Sequence, residues 1–400
     1  LPAFLRTYVT VATSPNGSLF QPISAGLLAA AVGFASAFPI VLQGLAGVGA
    51  SPAEGASGLL ALCIGQGLLA ICLGLRMRMP VAIAWSTPGA ALLAATGATA
   101  RGFDEAVGAF LAAAALVVLA GLWRPLARAV ESIPMSLASA MLAGVLLRIC
   151  LAPVEAVAAM PTLALPIVAA WALAWCFVRA YAMLIALAVT AAIVFFATPL
   201  PAGALADIWA RPILVMPAYS LDAIVGIALP LFIVTMASQN LPGLAVLNAN
   251  GYRPAAGPLF VSTGIASALA APFGGHALNL AAITAALCAG PEAHPDLAKR
   301  YVASVAAGGA YLAIGLFAGL AAAFFAASPP LLIQAVAGLA LLGSLVGALT
   351  QAFTREDERI PAILTFVTAA SGVSFLGIGP AFWGLIAGGA LMGLMRVKEK

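Results

Sequence analysis

Pro272-Phe273-Gly274-Gly275-His276-Ala277-Leu278-Asn279 interrupts an otherwise apolar segment with two adjacent glycines, a histidine and an asparagine. Paired glycines weaken a continuous helix, and Asn279 suits the cap of a new one, expected to run from residue 280 to about 289. Residues 273–278 before that cap are expected to be extended. Irregular backbone at membrane depth is tolerated only where it is buried in protein or lines a cavity, because lipid offers its amides and carbonyls no partners. The stretch therefore implies a cavity.

A second such stretch lies 192 positions earlier: Pro80-Val81-Ala82-Ile83-Ala84-Trp85-Ser86-Thr87-Pro88-Gly89. Thr87 precedes a proline and so leans towards extended backbone, while Pro88 fits the first turn of a helix. Laying the two stretches over each other pairs Pro80 with Pro272 and Thr87 with Asn279. Each then predicts a short strand, a cap and a half-helix, with residues 81–85 extended. Paired short segments interrupted by Gly or Pro, in corresponding positions of two halves, point to a transporter's substrate site.

Composition sets the solvent. With 64% hydrophobic and 8% charged residues over 400 positions, the chain differs from a soluble domain, in which about a quarter of residues are charged. It predicts an all-α polytopic membrane protein, and at roughly 20 apolar residues per span the length admits about 12 to 14 spans. Cys63, Cys72, Cys150, Cys176 and Cys288 are scattered through apolar runs without metal-site spacing, so neither a metal nor a cofactor is expected. No N-terminal signal peptide is evident, since residues 1–22 carry one charge, Arg6, and are broken at Pro15-Asn16-Gly17.

Apolar runs place seven segments near 23–46, 55–75, 81–98, 103–121, 132–151, 161–178 and 181–199. A more polar connection at 201–220 follows, then seven more near 221–243, 256–271, 273–290, 298–326, 329–353, 360–376 and 379–395. With both termini on one face, 14 of the 17 basic residues share that face and only Arg101, Arg148 and Arg211 lie opposite. The positive-inside rule then makes both termini cytoplasmic. Pro52 with Pro254, Asp104 with Asp296, Pro134 with Pro329 and Pro161 with Pro361 repeat the spacing of the two halves, at offsets of 192 to 202. Seven spans per half turn the second half upside down, the 7+7 inverted repeat of secondary transporters, with short strands opening segments 3 and 10.

Ionisable side chains are nearly absent from these segments, and His276 is the deepest. An intramembrane ionisable group is a functional candidate by default, and the competing reading is a neutral ring that hydrogen-bonds a freed carbonyl. Ser238-Gln239-Asn240, followed by Pro242-Gly243, puts three polar residues in the eighth segment, where they face the same cavity or bond to neighbouring helices. Gln43, after Pro39, is either a cavity group or interfacial. No carboxylate joins the set, which favours an anionic ligand over a cation or a neutral nucleobase. Two helix N-termini, Ser86, Thr87 and Asn279 supply donors for a carboxylate, and Trp85 and Phe273 supply aromatic surface.

Phe38-Pro39-Ile40-Val41-Leu42-Gln43, Ala84 to Gly89, Ala237-Ser238-Gln239-Asn240-Leu241-Pro242-Gly243 and Pro272 to Asn279 together resemble the BenE-type benzoate:proton symporters, over nearly the whole chain. The resemblance implies the fold of the uracil permease and anion exchanger group. A core domain (1–122 and 201–327) then carries segments 1–4 and 8–11, and a gate domain (123–200 and 328–400) carries segments 5–7 and 12–14. It also implies benzoate or a similar aromatic carboxylate as substrate, protons as coupling ion and the bacterial inner membrane as location. The candidate binding residues are Trp85, Ser86, Thr87, Gly89, Gln239, Asn240, Phe273, Gly274, Gly275, His276 and Asn279, with His276 the best-placed proton carrier and the substrate's own carboxylate the alternative. The uracil branch uses glutamates in segments 8 and 10, and this chain departs from that pattern. Expected partners are the aromatic carboxylate, protons and membrane lipid, with no nucleic acid, and a homodimer is left open.

The alternatives are uncoupled or channel-like anion passage on the same fold, and a nucleobase permease. A membrane-embedded enzyme is disfavoured, since the chain has no HExxH, GxSxG or Cys/His cluster.

Overall fold

The computed structural model describes residues 19–96, 102–123, 125–126, 128, 134–197, 209–281, 283–373, 375 and 379–398. Arg6, Arg101, Arg124, Lys400 and residues 201–208 of the expected connection lie outside them.

In chain order the elements are α1 (Phe20–Gly47), α2 (Pro52–Met77), β1 (Ile83–Trp85), α3 (Thr87–Thr96), α4 (Phe103–Leu122), α5 (Met135–Ala159), α6 (Pro161–Phe177) and α7 (Ala182–Ala197). They continue with α8 (Leu221–Ala249), α9 (Ala256–Ala270), β2 (Leu278–Leu280), α10 (Ile283–Ala289), α11 (Tyr301–Gly315), α12 (Ala318–Ala327), α13 (Pro330–Ala352), α14 (Arg359–Ala370) and α15 (Pro380–Lys398). By length and composition eight of the described helices can each cross a membrane, or nine if α11 and α12, bent by 58°, count as one. The fourteen segments expected from hydropathy therefore divide into helices of spanning length and shorter pieces. Segments 3 and 10 are broken by strands, and α14 has 12 residues against the roughly 20 of a full crossing.

α2 packs on α11 and α9 on α4, while α1 covers α3 and α11. Without water to drive helices together, close backbone approach does the work, and small residues permit it. Gly67 and Gly308 face each other so closely that a Cβ on either would lie within 2.8 Å of the other's carbonyl oxygen. A second body forms where α5 packs against α13 and α14. At one end of it the buried Glu358 accepts from the Ser136 hydroxyl at 2.6 Å and lies 3.4 Å from Arg355 and 3.6 Å from Arg396.

α8 has its shape from its prolines. A helical proline lacks an N–H and clashes with the carbonyl four residues back. Wide π-helical turns at Ile224–Ala228 and Met236–Asn240 contain the fourth residue before Pro230 and before Pro242. The second turn carries Gln239 and Asn240.

Before α8 the chain runs as an irregular strap over the body built by α2 and α4. Ile213 N–H donates to the Ser57 hydroxyl at 2.8 Å, Val215 N–H to the Pro272 carbonyl at 2.8 Å and Ala218 N–H to the Asp104 carbonyl at 3.0 Å. Ser220 closes it with a 2.9 Å bond to the Glu105 carboxylate.

The far end of α10 is held by a buried cation. Arg300 donates to the carbonyls of His294 at 2.6 Å, Ala289 at 2.7 Å and Pro295 at 3.4 Å, and Ala289 is the last residue of α10. A cation at a helix C-terminus is favoured by the macrodipole as well as by these bonds. Arg300→Ala leaves the two buried carbonyls of His294 and Ala289 without this partner and is expected to cost at least about 2 kcal/mol of stability. A thermal-unfolding midpoint unchanged from the parent would remove Arg300 from this role.

Candidate functional site

β1 and β2 form an antiparallel two-stranded ribbon with Ile83 opposite Leu280, Ala84 opposite Asn279 and Trp85 opposite Leu278. Ser86 N–H donating to the Ala277 carbonyl and Ala281 N–H donating to the Ala82 carbonyl, both at 2.9 Å, lengthen the ladder at its two ends. The ribbon satisfies backbone groups that lipid would leave unpaired. α3 departs beyond one end and α10 beyond the other, so the two half-helices run outward from one crossing point.

Both expected caps are displaced. α3 is capped by Ser86, one residue before the expected Thr87: its hydroxyl accepts from Gly89 N–H at 3.1 Å, and its carbonyl accepts from Ala90 N–H at 2.8 Å. Asn279 is not a helix cap. It sits in the middle of β2, its side-chain amide donates to the Leu280 carbonyl at 2.8 Å, and the first described residue of α10 is Ile283. The start expected at residue 280 is therefore late by about one turn. Residues 271–273 form a 3₁₀ turn and Gly274 turns left-handed at φ +89°, so Phe273 is not extended and the strand begins only at Leu278. Two turns spent before the strand push everything after Pro272 later.

The ribbon's two faces differ. Leu278 packs on α2 at Gly65, and Trp85, opposite Leu278, shares that face. Asn279 and Ala84 then point away from α2. Trp85 is buried edge-on to Phe34 at 6.0 Å and to Tyr311 at 5.9 Å, and Phe34 stacks on Phe38 at 5.2 Å.

Most polar side chains expected to face a ligand instead tie the crossing together. Ser86 accepts from the Thr235 hydroxyl at 2.8 Å, which joins α8 to α3. Asn240 accepts from Leu280 N–H at 2.9 Å, which joins α8 to β2, and its amide lies 3.2 Å from the Met236 sulfur. His276, 1% exposed, places Nε2 3.0 Å from the Ser86 carbonyl. A carbonyl only accepts, so Nε2 carries the proton in this arrangement and Nδ1 is the acceptor. Nδ1 is buried without a partner, as is Oδ1 of Asn279. Phe110 lies edge-on to the imidazole at 6.4 Å.

Two of the expected residues keep more accessible hydrogen-bonding capacity. The side chains of Thr87, half-buried at the start of α3, and of Gln239, 8% exposed on the wide turn of α8, bond to no other described side chain or backbone group. Gly89 gives its N–H to the Ser86 side chain and Pro88 has none, so the first turn of α3 offers a ligand its dipole and few free amides. Gly274 and Gly275 serve the approach of α2 and α9, and a Cβ at Gly58 would lie 2.5 Å from the Gly274 carbonyl oxygen. Phe273 uses its carbonyl to accept from Ser57 at 2.9 Å.

The sequence reading missed Thr235, Ser57 and Ser267. Ser267 accepts from Leu278 N–H at 2.8 Å and so holds β2 to α9. It also missed Gln66, fully buried on α2 with neither amide atom partnered.

Asn240→Ala is expected to leave the buried Leu280 N–H unpaired, at a cost of about 1–3 kcal/mol. Thermal unfolding measures this, and a midpoint equal to the parent's would mean that β2 finds another acceptor.

Solved structures share this fold. The structure titled "The overall structure of SLC26A9" matches 98% of this chain and 68% of its own at 14% identity, with a TM-score of 0.65. The transmembrane domain of the cyanobacterial bicarbonate transporter BicA matches 93% of this chain and 99% of its own at 17% identity, with a TM-score of 0.58. At these identities the likeness concerns fold alone. In sequence, the inner membrane protein YdcO of Escherichia coli (strain K12) is 42% identical over 368 residues, covering 91% of this chain and 93% of that protein. A benzoate membrane transport protein of Acinetobacter baylyi is 34% identical over 364 residues, covering 91% and 92%. The family model described as BenE, benzoate membrane transport protein, matches residues 18–394. From a broken-helix crossing inside an apolar helical body to a family match along nearly all its length, the chain belongs to the BenE family of membrane transport proteins.

Proposed function

We propose that the protein imports benzoate or a similar aromatic carboxylate by proton symport, with the carboxylate bound beside the ribbon. The observation that carries this is the crossing itself: two half-helices leaving a buried two-stranded ribbon in opposite directions, the arrangement secondary transporters use at their substrate sites. The family match and the Acinetobacter relative's name support benzoate as the substrate class. Thr87, Gln239 and the positive end of α3 attract the carboxylate, and Trp85, Phe34 and Phe38 offer ring faces. Gly89, Phe273, Gly274 and Gly275 shape the backbone around it, and Ser86, Asn240 and Asn279 hold that backbone in place. His276 Nδ1 takes the proton.

In this reading fourteen segments form a 7+7 inverted repeat in the inner membrane with both termini cytoplasmic. The core (1–122 and 201–327) rocks against the gate (123–200 and 328–400). Binding of benzoate and of uracil to the purified protein, side by side across pH, tests it. Benzoate should bind and uracil should not. Uracil binding at comparable affinity would replace the carboxylate reading with a nucleobase one.

A further inference from the structure

α1, α7 and the bent pair α11–α12 enclose a groove of about 720 Å³ on the flank of the protein. Its wall runs from Leu187 to Phe196 on α7 and from Ile314 past the bend to Ala327, with Phe34 and Phe38 of α1 at its side. Every lining side chain is apolar. A carboxylate placed there would lose its hydration and gain no donor, so the groove does not suit the anion proposed for the ribbon.

Three observations identify what does. First, Arg179–Ala197, the span that contains α7, is the least covered of the described helices of spanning length, with 28% of its apolar window buried against 39–78% for the others. Second, its rings are open: Phe195 is 63% exposed and Phe196 83%. In a membrane span, such faces meet acyl chains. Third, the nine steps from Leu187 to Phe196 rise about 14 Å at 1.5 Å per residue, close to one leaflet's share, about 15 Å, of a hydrocarbon core about 30 Å thick. The groove is thus as long as one leaflet is deep, and it runs along α7.

We propose that this groove binds one acyl chain of a membrane phospholipid, held between α7 on one side and α1 with α12 on the other. The chain fills a gap that the 58° bend leaves uncovered by protein. Phe34, which lies against Trp85, then has hydrocarbon at its outer side in place of a void. Such a lipid differs from the surrounding bilayer in that it stays with the protein through extraction.

Native mass spectrometry of the detergent-purified full chain should show one retained phospholipid per chain, reduced at least tenfold in Ala321→Trp, whose indole occupies the groove. No retained lipid in the parent, or equal retention in a folded Ala321→Trp, overturns the proposal. The milder Phe324→Trp provides a second measurement if Ala321→Trp does not fold. Brominated phosphatidylcholine titrated into the detergent-solubilised Phe324→Trp protein should quench the added fluorescence, relative to the parent, and saturate at one lipid per chain. Quenching that never saturates, or that benzoate relieves, overturns it, the latter by making the groove a site for the aromatic acid. Lipid retention is measured without substrate, so it stands or falls separately from benzoate transport.

Discussion

The His276→Gln protein is expected to exchange labelled for unlabelled benzoate yet fail to accumulate it under an imposed proton gradient. Benzoic acid is mostly ionised at neutral pH, so electroneutral uptake needs one proton per anion. A gradient of one pH unit then supports about tenfold accumulation, since about 1.4 kcal/mol is one decade. In the proposed reading His276 carries that proton, because its imidazole is titratable and Nδ1 is buried with no partner. The charges of an imidazolium and a carboxylate bound nearby stabilise each other, so anion and proton assist each other's binding. Glutamine keeps an N–H for the Ser86 carbonyl, which His276 reaches at 3.0 Å, but has no site that titrates. Accumulation should fall from about tenfold to none under that gradient. Full accumulation by His276→Gln would leave the substrate's own carboxyl as the proton carrier and the histidine as a pin between the two half-helices.

Gly274→Ala should unfold or inactivate the protein. Gly274 combines a left-handed φ of +89° with a backbone contact in which an added Cβ would lie 3.2 Å from the Glu54 carbonyl oxygen and 3.3 Å from the Gly58 Cα. The conformation alone costs a side chain about 1–2 kcal/mol, and forcing α2 away from the break costs about 1–3 more. Against a total stability of about 5–15 kcal/mol this is a large fraction. Gly309→Ala is the control, because nothing lies within 4 Å of a Cβ there. Thermal unfolding and benzoate binding of the two proteins separate the cases, and a Gly274→Ala protein as stable as Gly309→Ala would refute the account of the break.

The break was legible because it violates its surroundings. Gly274-Gly275 and Ser86-Thr87-Pro88-Gly89 stand out in apolar segments, and both fall at the crossing. Register was not legible. Matching Pro80 with Pro272 gave an offset of 192, whereas β1 begins at Ile83 and β2 at Leu278, an offset of 195. The 3₁₀ turn and the left-handed Gly274 use residues that the first half does not use, and shared prolines cannot reveal that. The role of small polar residues was hidden for another reason. Ser262, Thr190 and Thr365 bond to the carbonyl four residues back in their own helices, as most intramembrane hydroxyls are free to do, while Ser57 and Thr235 reach across to other elements. Nothing in the residue type distinguishes the two uses. Asn240 was legible as polar and buried, but its bond to Leu280 N–H, 40 residues away, comes from the wide turn that Pro242 imposes.

The ribbon also constrains how the chain is made. β1 emerges from the ribosome nearly two hundred residues before β2, the strand that completes its hydrogen bonds. Until β2 arrives, the Ala82 carbonyl, the Ser86 N–H and the ladder groups of β1 between them have no partner that hydrocarbon can supply, and each unpaired group costs several kcal/mol there. The third segment therefore settles at depth only after the tenth has been synthesised, and during most of translation it waits in a polar setting such as the membrane surface or the insertion machinery. A nascent chain arrested before Leu278 should accordingly be cut by added protease between α2 and α3, where the full-length protein is protected. Protection of the arrested chain would mean that β1 borrows a temporary partner from the first half.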